Sequence, residues 1–160
     1  MAVMTDLGFQ GFREYARFFV AGSAKPKGSH RAFVRGGRAI LAPASAGERG
    51  WRSMVEAVAL EAMQTRAPWD EPMRLCLDFY SLRPKSHLRR DGTLKPGAQV
   101  RPTSKPDFDK LARSVADALT GICYRDDALV CDARVRKRYT NLIYPHCGVL
   151  VTVGPFEGAP

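Results

Sequence analysis

Residues 105–127 read Lys-Pro-Asp-Phe-Asp-Lys-Leu-Ala-Arg-Ser-Val-Ala-Asp-Ala-Leu-Thr-Gly-Ile-Cys-Tyr-Arg-Asp-Asp. Phe108, Leu111, Val115, Leu119 and Ile122 recur at steps of three and four. That spacing predicts a helix from about Phe108 to Thr120, with these residues as its buried stripe. Asp107 sits where an N-cap belongs and Gly121 where a C′ glycine belongs. Asp109, Arg113 and Asp117 share another face. The helix dipole favours acids in the first turn, so it explains Asp107 or Asp109 taken singly. It does not explain Asp126-Asp127, which follow the helix. If the chain turns back at Gly121, one of these acids can return beside the helix. Carboxylates gathered closely raise one another's pKa, and a divalent cation relieves the repulsion. Magnesium takes a few carboxylates and waters, a set suited to phosphoryl transfer.

Working outward, residues 128–139 predict a strand with a basic outer face. Its inner face would carry Val130, Ala133 or Val135, and Tyr139. A last strand is expected from Gly148 to Val153, followed by a loose tail over 154–160. Upstream, residues 83–105 show no apolar period. They carry Arg83, Lys85, Arg89, Arg90, Lys95, Arg101 and Lys105 against the single acid Asp91. A loop this long inside a compact domain is usually functional or disordered, and its charge suits a flexible phosphate-gripping arm. Residues 73–81 alternate, with Met73, Leu75, Leu77 and Phe79 facing one way, as in a strand with one buried face. Asp78 falls on the opposite face. A helix is expected from about Ser45 to Thr65, with Trp51, Val55, Val58 and Ala62 inward, and Pro68 and Pro72 beyond it. Residues 15–21 read as a first strand. A short hairpin around Gly36-Gly37 is expected within 32–42. Lys25, Lys27 and Arg31 lie on or near the basic turn between them and are placed to meet phosphate.

The chain has 160 residues, 45% hydrophobic and 26% charged, which fits one domain with its own core. The fold class expected is α+β, a single small domain with a mixed β-sheet packed by two main helices. No apolar run approaches the ~18 residues of a membrane span. The segment Met1–Phe19 contains Asp6, Arg13, Glu14 and Arg17, which does not fit a signal peptide, so a cytosolic protein is expected. The formal net charge of +9 favours a polyanionic partner such as nucleic acid. Cys76, Cys123, Cys131 and Cys147 form no CxxC pair and read as free thiols.

Lys105-Pro106-Asp107-Phe108-Asp109-Lys110-Leu111, Asp117-Ala118-Leu119-Thr120-Gly121 and Tyr124-Arg125-Asp126-Asp127 together closely resemble the signature of the RusA family of Holliday junction resolvases. Arg83-Pro84-Lys85-Ser86-His87 and Val135-Arg136-Lys137-Arg138-Tyr139 resemble its phage-borne branch. The resemblance runs from about Val20 to Val153 and is strongest from Phe79 to Tyr139. It implies a small α+β fold, a homodimer and a magnesium-dependent endonuclease, with manganese able to substitute, that nicks opposed strands of branched DNA. It maps the metal-binding, catalytic aspartates onto Asp107, Asp109 and Asp127, with Asp126 as a turn residue or supporting partner. Many members have an asparagine where this chain has Lys110. Arg113 stands where a catalytic lysine often does, and arginine suits charge stabilisation better than proton donation. Lys27, Arg31, Lys85, Arg89, Arg90, Lys105, Lys110 and Lys137 are the expected DNA contacts. The departures at Lys110 and Arg113 leave open a non-catalytic branched-DNA-binding module of the same fold. A nuclease for forks or flaps is a third reading.

Overall fold

The computed structural model describes residues 14–27, 30–35, 38–43 and 47–156, with the backbone alone for 30–35 and 38–43. Six strands and two helices follow in the order β1 (Ala16–Ala21), β2 (His30–Arg35), β3 (Arg38–Pro43), α1 (Glu48–Met63), β4 (Met73–Ser81), α2 (Phe108–Leu119), β5 (Val130–Tyr139) and β6 (Gly148–Pro155). The fold is α+β, with a four-stranded mixed sheet in the order β1-β6-β4-β5. β6 pairs antiparallel with β1 and β4, whereas β4 and β5 are parallel and joined by the crossover that carries α2. β2 and β3 form a separate antiparallel hairpin in which Arg35 pairs with Arg38. The Gly36-Gly37 turn that sets this register lies outside the described residues.

Register explains the core. Phe18, Val151 and Leu77 lie abreast, as do Val20, Val149 and Phe79. All six point to the face covered by both helices and join Trp51, Val55, Ala59, Leu111, Val115 and Leu119 in one buried cluster. Each Val, Leu or Phe among them contributes about 1.5–3 kcal/mol by leaving water. α1 buries Trp51, Val55, Ala59 and Met63, a cleaner four-residue step than expected, while Met54 and Leu60 stay exposed. Every residue of β6 is buried, and the strand continues two residues beyond Val153 to Pro155. The next residue, Phe156, donates its amide to the Pro72 carbonyl. Residues 157–160 of the expected loose tail lie outside the described residues. Where β6 begins, Gly148 is required by close approach. A Cβ there would lie 2.3 Å from the Val20 carbonyl oxygen.

Two strands differ from the sequence expectation. β4 is central, so both its faces are buried, and Cys76, Asp78 and Tyr80 are covered as well as the apolar set. Cys76 and Asp78 lie abreast of Thr152 and Leu150 on one side and of Arg134 and Arg136 on the other. In β5 the register shifts near its start, so that Met73 pairs with Val130 but Arg74 with Asp132. This bulge explains the imperfect alternation. Val135 and Val130 pack against the core, and Ala133 is exposed.

Candidate active site

The site is built where residues 82–107 leave the end of β4 and enter α2. This long connection has a defined course. Arg83 stacks over the Tyr139 ring at 4.1 Å and donates to the Gln99 carbonyl at 2.8 Å. A 3-10 turn, Lys85–His87, follows. The chain then doubles back, with the Arg89 amide bonded to Thr93 and the Lys95 amide to His87. At the tip, Asp91 accepts from both the amide and the hydroxyl of Thr93, which lowers its carboxyl pKa. Lys85, Arg89 and Arg90 are exposed along this excursion, and Lys105 is exposed at its return.

The last residues before α2 are held by Lys137, whose ammonium donates to the Pro106 carbonyl at 3.0 Å and to that of Ser104. Lys137 lies opposite Phe79 in the sheet, on the side facing the core. A lysine at an inward position of a strand was the signal for this anchoring role, which the phosphate-contact assignment did not include. Against it lies a largely apolar cavity of about 180 Å³, lined by Phe79, Tyr80, Pro102, Pro106, Leu111 and Tyr139 among others.

Asp107 occupies the N-cap position with extended backbone, and its carbonyl accepts from the Leu111 amide. Its carboxylate makes no capping bond; it pairs instead with Lys110 at 3.4 Å, both groups being about half exposed. Asp109 in the first turn and Arg113 one turn on are exposed, without a hydrogen-bond or ion-pair partner among the described residues. Asp117, a further turn along, is ion-paired with Lys27, and the Lys27 amide donates to the Lys110 carbonyl. Lys27 is therefore bound to α2. Arg31 falls on β2, where no side chain is described.

Beyond α2 the chain reverses at Gly121, whose φ of 79° is one that glycine adopts without strain. Tyr124 is buried under the helix and donates its hydroxyl to the Ala116 carbonyl at 2.8 Å. Burial, with the charges of Cys123, Asp127 and Asp117 behind it, pushes its phenol pKa upward. Asp126 caps the next 3-10 turn, Asp127–Leu129, by accepting from the Ala128 amide at 2.8 Å. That is the turn role foreseen for it. The turn packs against α2 and presents Asp127 to solvent.

The fold thus brings Asp107, Asp109 and Arg113 together on the first turns of α2 and returns Asp127 to the same helix. It does not gather three acids into one ligand set: among the described residues no three His, Cys, Asp or Glu side chains could hold a metal together. The donor chemistry still fits magnesium. That ion is commonly held by one or two carboxylates, with waters and substrate phosphate completing its shell.

The family described as Endodeoxyribonuclease RusA matches residues 22–152. YqaN, an uncharacterized protein of Bacillus subtilis (strain 168), is 30% identical over 130 residues, covering 78% of this chain and 88% of the relative. The chain belongs to the RusA endodeoxyribonuclease family.

Proposed function

We propose that this RusA-family chain is a magnesium-dependent, structure-selective endonuclease that resolves four-way DNA junctions by paired nicks, in recombination and repair. The observation that carries the reading is the placing of exposed Asp109 and Arg113, neither with a hydrogen-bond or ion-pair partner among the described residues, on one helix face beside Asp107 in a member of this nuclease family. A hard cation held by Asp107 and Asp109, with Asp127 approaching from its turn, would activate water and offset charge on the scissile phosphate. Arg113 stabilises the charge that builds on the phosphoryl oxygens. Lys137 keeps Asp107 in place through the Pro106 carbonyl. Lys85, Arg89, Arg90 and Lys105 meet the backbone of the DNA arms, a contact that reads shape more than sequence. A four-way junction has approximate two-fold symmetry, and two copies related by a two-fold axis offer one site to each of two equivalent strands. Such an enzyme would work in the cytosol.

The test is cleavage of a synthetic four-way junction in magnesium and in EDTA, with linear duplex as control. Paired nicks in the junction, in magnesium only, are the expected result. The Lys110–Asp107 contact favours a second reading, a branched-DNA-binding module in which Lys110 neutralises the first ligand. Tight junction binding without cleavage in magnesium or manganese would select that reading.

A further inference from the structure

Phe108 is the one member of the expected buried stripe of α2 that the fold turns outward; it is 61% exposed. It lies between Asp107 and Asp109 in sequence. Its ring lines an open groove of about 410 Å³ with Arg101, Pro102, Arg136 and Lys137. Arg136 is held by Asp78, and Lys137 by the Ser104 and Pro106 carbonyls, so two cations of the groove are fixed in place. Arg101 is exposed, and among the described residues it has no ion-pair or hydrogen-bond partner. Three cations around an exposed aromatic ring suit a ligand that combines a flat apolar face with phosphate. An apolar protein segment would leave Arg101 unmatched.

The geometry points to a stacking subsite in this groove for an unstacked nucleobase of branched DNA, with Phe108 beneath the base and Arg101 on its phosphate. The inference rests on the reading of the chain as acting on branched DNA. Every base has a π-face, so the subsite favours DNA whose bases are already unpaired or loosely stacked, as at a branch point, over intact duplex. It thereby places a specificity element beside the candidate catalytic acids. Phe108 is a substrate-contacting residue in this account and has no part in the chemistry.

The experiment measures binding in EDTA, where nicking cannot interfere. A four-way junction carries 2-aminopurine at the branch, and wild type is compared with Phe108→Ala and Phe108→Trp. Phe108→Ala is expected to weaken junction binding about tenfold, leave duplex binding nearly unchanged and abolish the emission change. Phe108→Trp is expected to restore both. Because the ring is exposed, neither variant should disturb folding, and sedimentation of each variant checks the oligomeric state. If Phe108→Ala binds the junction as wild type does, or if its main effect is a change of oligomeric state, the subsite is overturned. Magnesium-dependent nicking by wild type is scored separately. Loss of binding in Phe108→Ala without any wild-type nicking sinks the nuclease reading and upholds the subsite. Absence of DNA binding by wild type overturns both.

Discussion

Two sets of acids and arginines in this molecule are built in opposite ways. Asp78, on β4, is buried and accepts from Arg136 at 2.6 and 3.0 Å and from Arg138 at 2.9 Å. Asp109 and Arg113, on α2, are exposed and have no such partners among the described residues. Burial alone would raise the Asp78 pKa, but the two guanidinium groups outweigh it and hold the carboxyl below the ordinary range. With three of its roughly four lone-pair sites taken by fixed guanidinium groups, such a carboxylate is poorly placed to bind a ligand. Asp109 keeps its lone pairs free among the described residues, at the positive end of a helix dipole that favours anions. The contrast separates charges that hold the sheet together from charges available for chemistry.

Apart from that of Asp109, the largest expected effect tests whether Asp127 belongs with the second group. Asp127→Asn should lower junction nicking roughly a thousandfold, as loss of a metal carboxylate would. Its melting temperature should stay close to that of wild type. Wild-type nicking by this variant would confine the site to α2. Arg113→Ala should cost roughly a hundredfold in rate, the scale of one lost charge-stabilising donor. Arg113→Lys should recover most of it, which single-turnover nicking rates would reveal.

The buried set should respond in stability. Asp78→Asn should destabilise the fold by about 2 kcal/mol, below the usual cost of breaking a buried pair because both arginines reach solvent. Urea unfolding measures this. The Asp78 pKa is lower in the folded chain than in the unfolded one. Its stabilisation is therefore complete above the unfolded value of about 3.9 and is lost as pH falls through the folded value. The gap between wild type and Asp78→Asn should accordingly narrow below about pH 4, and a constant gap would assign the effect to packing. The smallest effect is expected at the half-exposed Lys110–Asp107 pair. Lys110→Ala should change stability by only a few tenths of a kcal/mol. A large gain in nicking from it would mean that Lys110 normally blocks Asp107.

The two sets were not equally legible in the sequence. α2, its cap and its acids could be read because their signals are local: periodic apolar residues, a C′ glycine and acids in the first turn. The partners of Asp78 are 58 and 60 residues away and meet it only through the parallel pairing of β4 with β5. Alternation revealed one face of β4. It could not reveal that central placement would bury the other. Phe108 obeys the helical period, yet it belongs to the first turn and faces an open groove, where the period no longer implies burial. Lys137 was legible as an inward-facing cation, but the carbonyls it anchors were not, because those contacts depend on how residues 82–107 return to the sheet. The acids of the candidate site could be picked out in the sequence, while their distribution over a helix and a separate turn required the fold.

We propose that the exposed acids at the start of α2 carry the chemistry. The most direct measurement is the rate at which Asp109→Asn nicks a four-way junction in magnesium. Nicking no faster than the EDTA background is expected, with junction binding as tight as wild type or tighter because a repelling charge is gone. Nicking at the wild-type rate would contradict it.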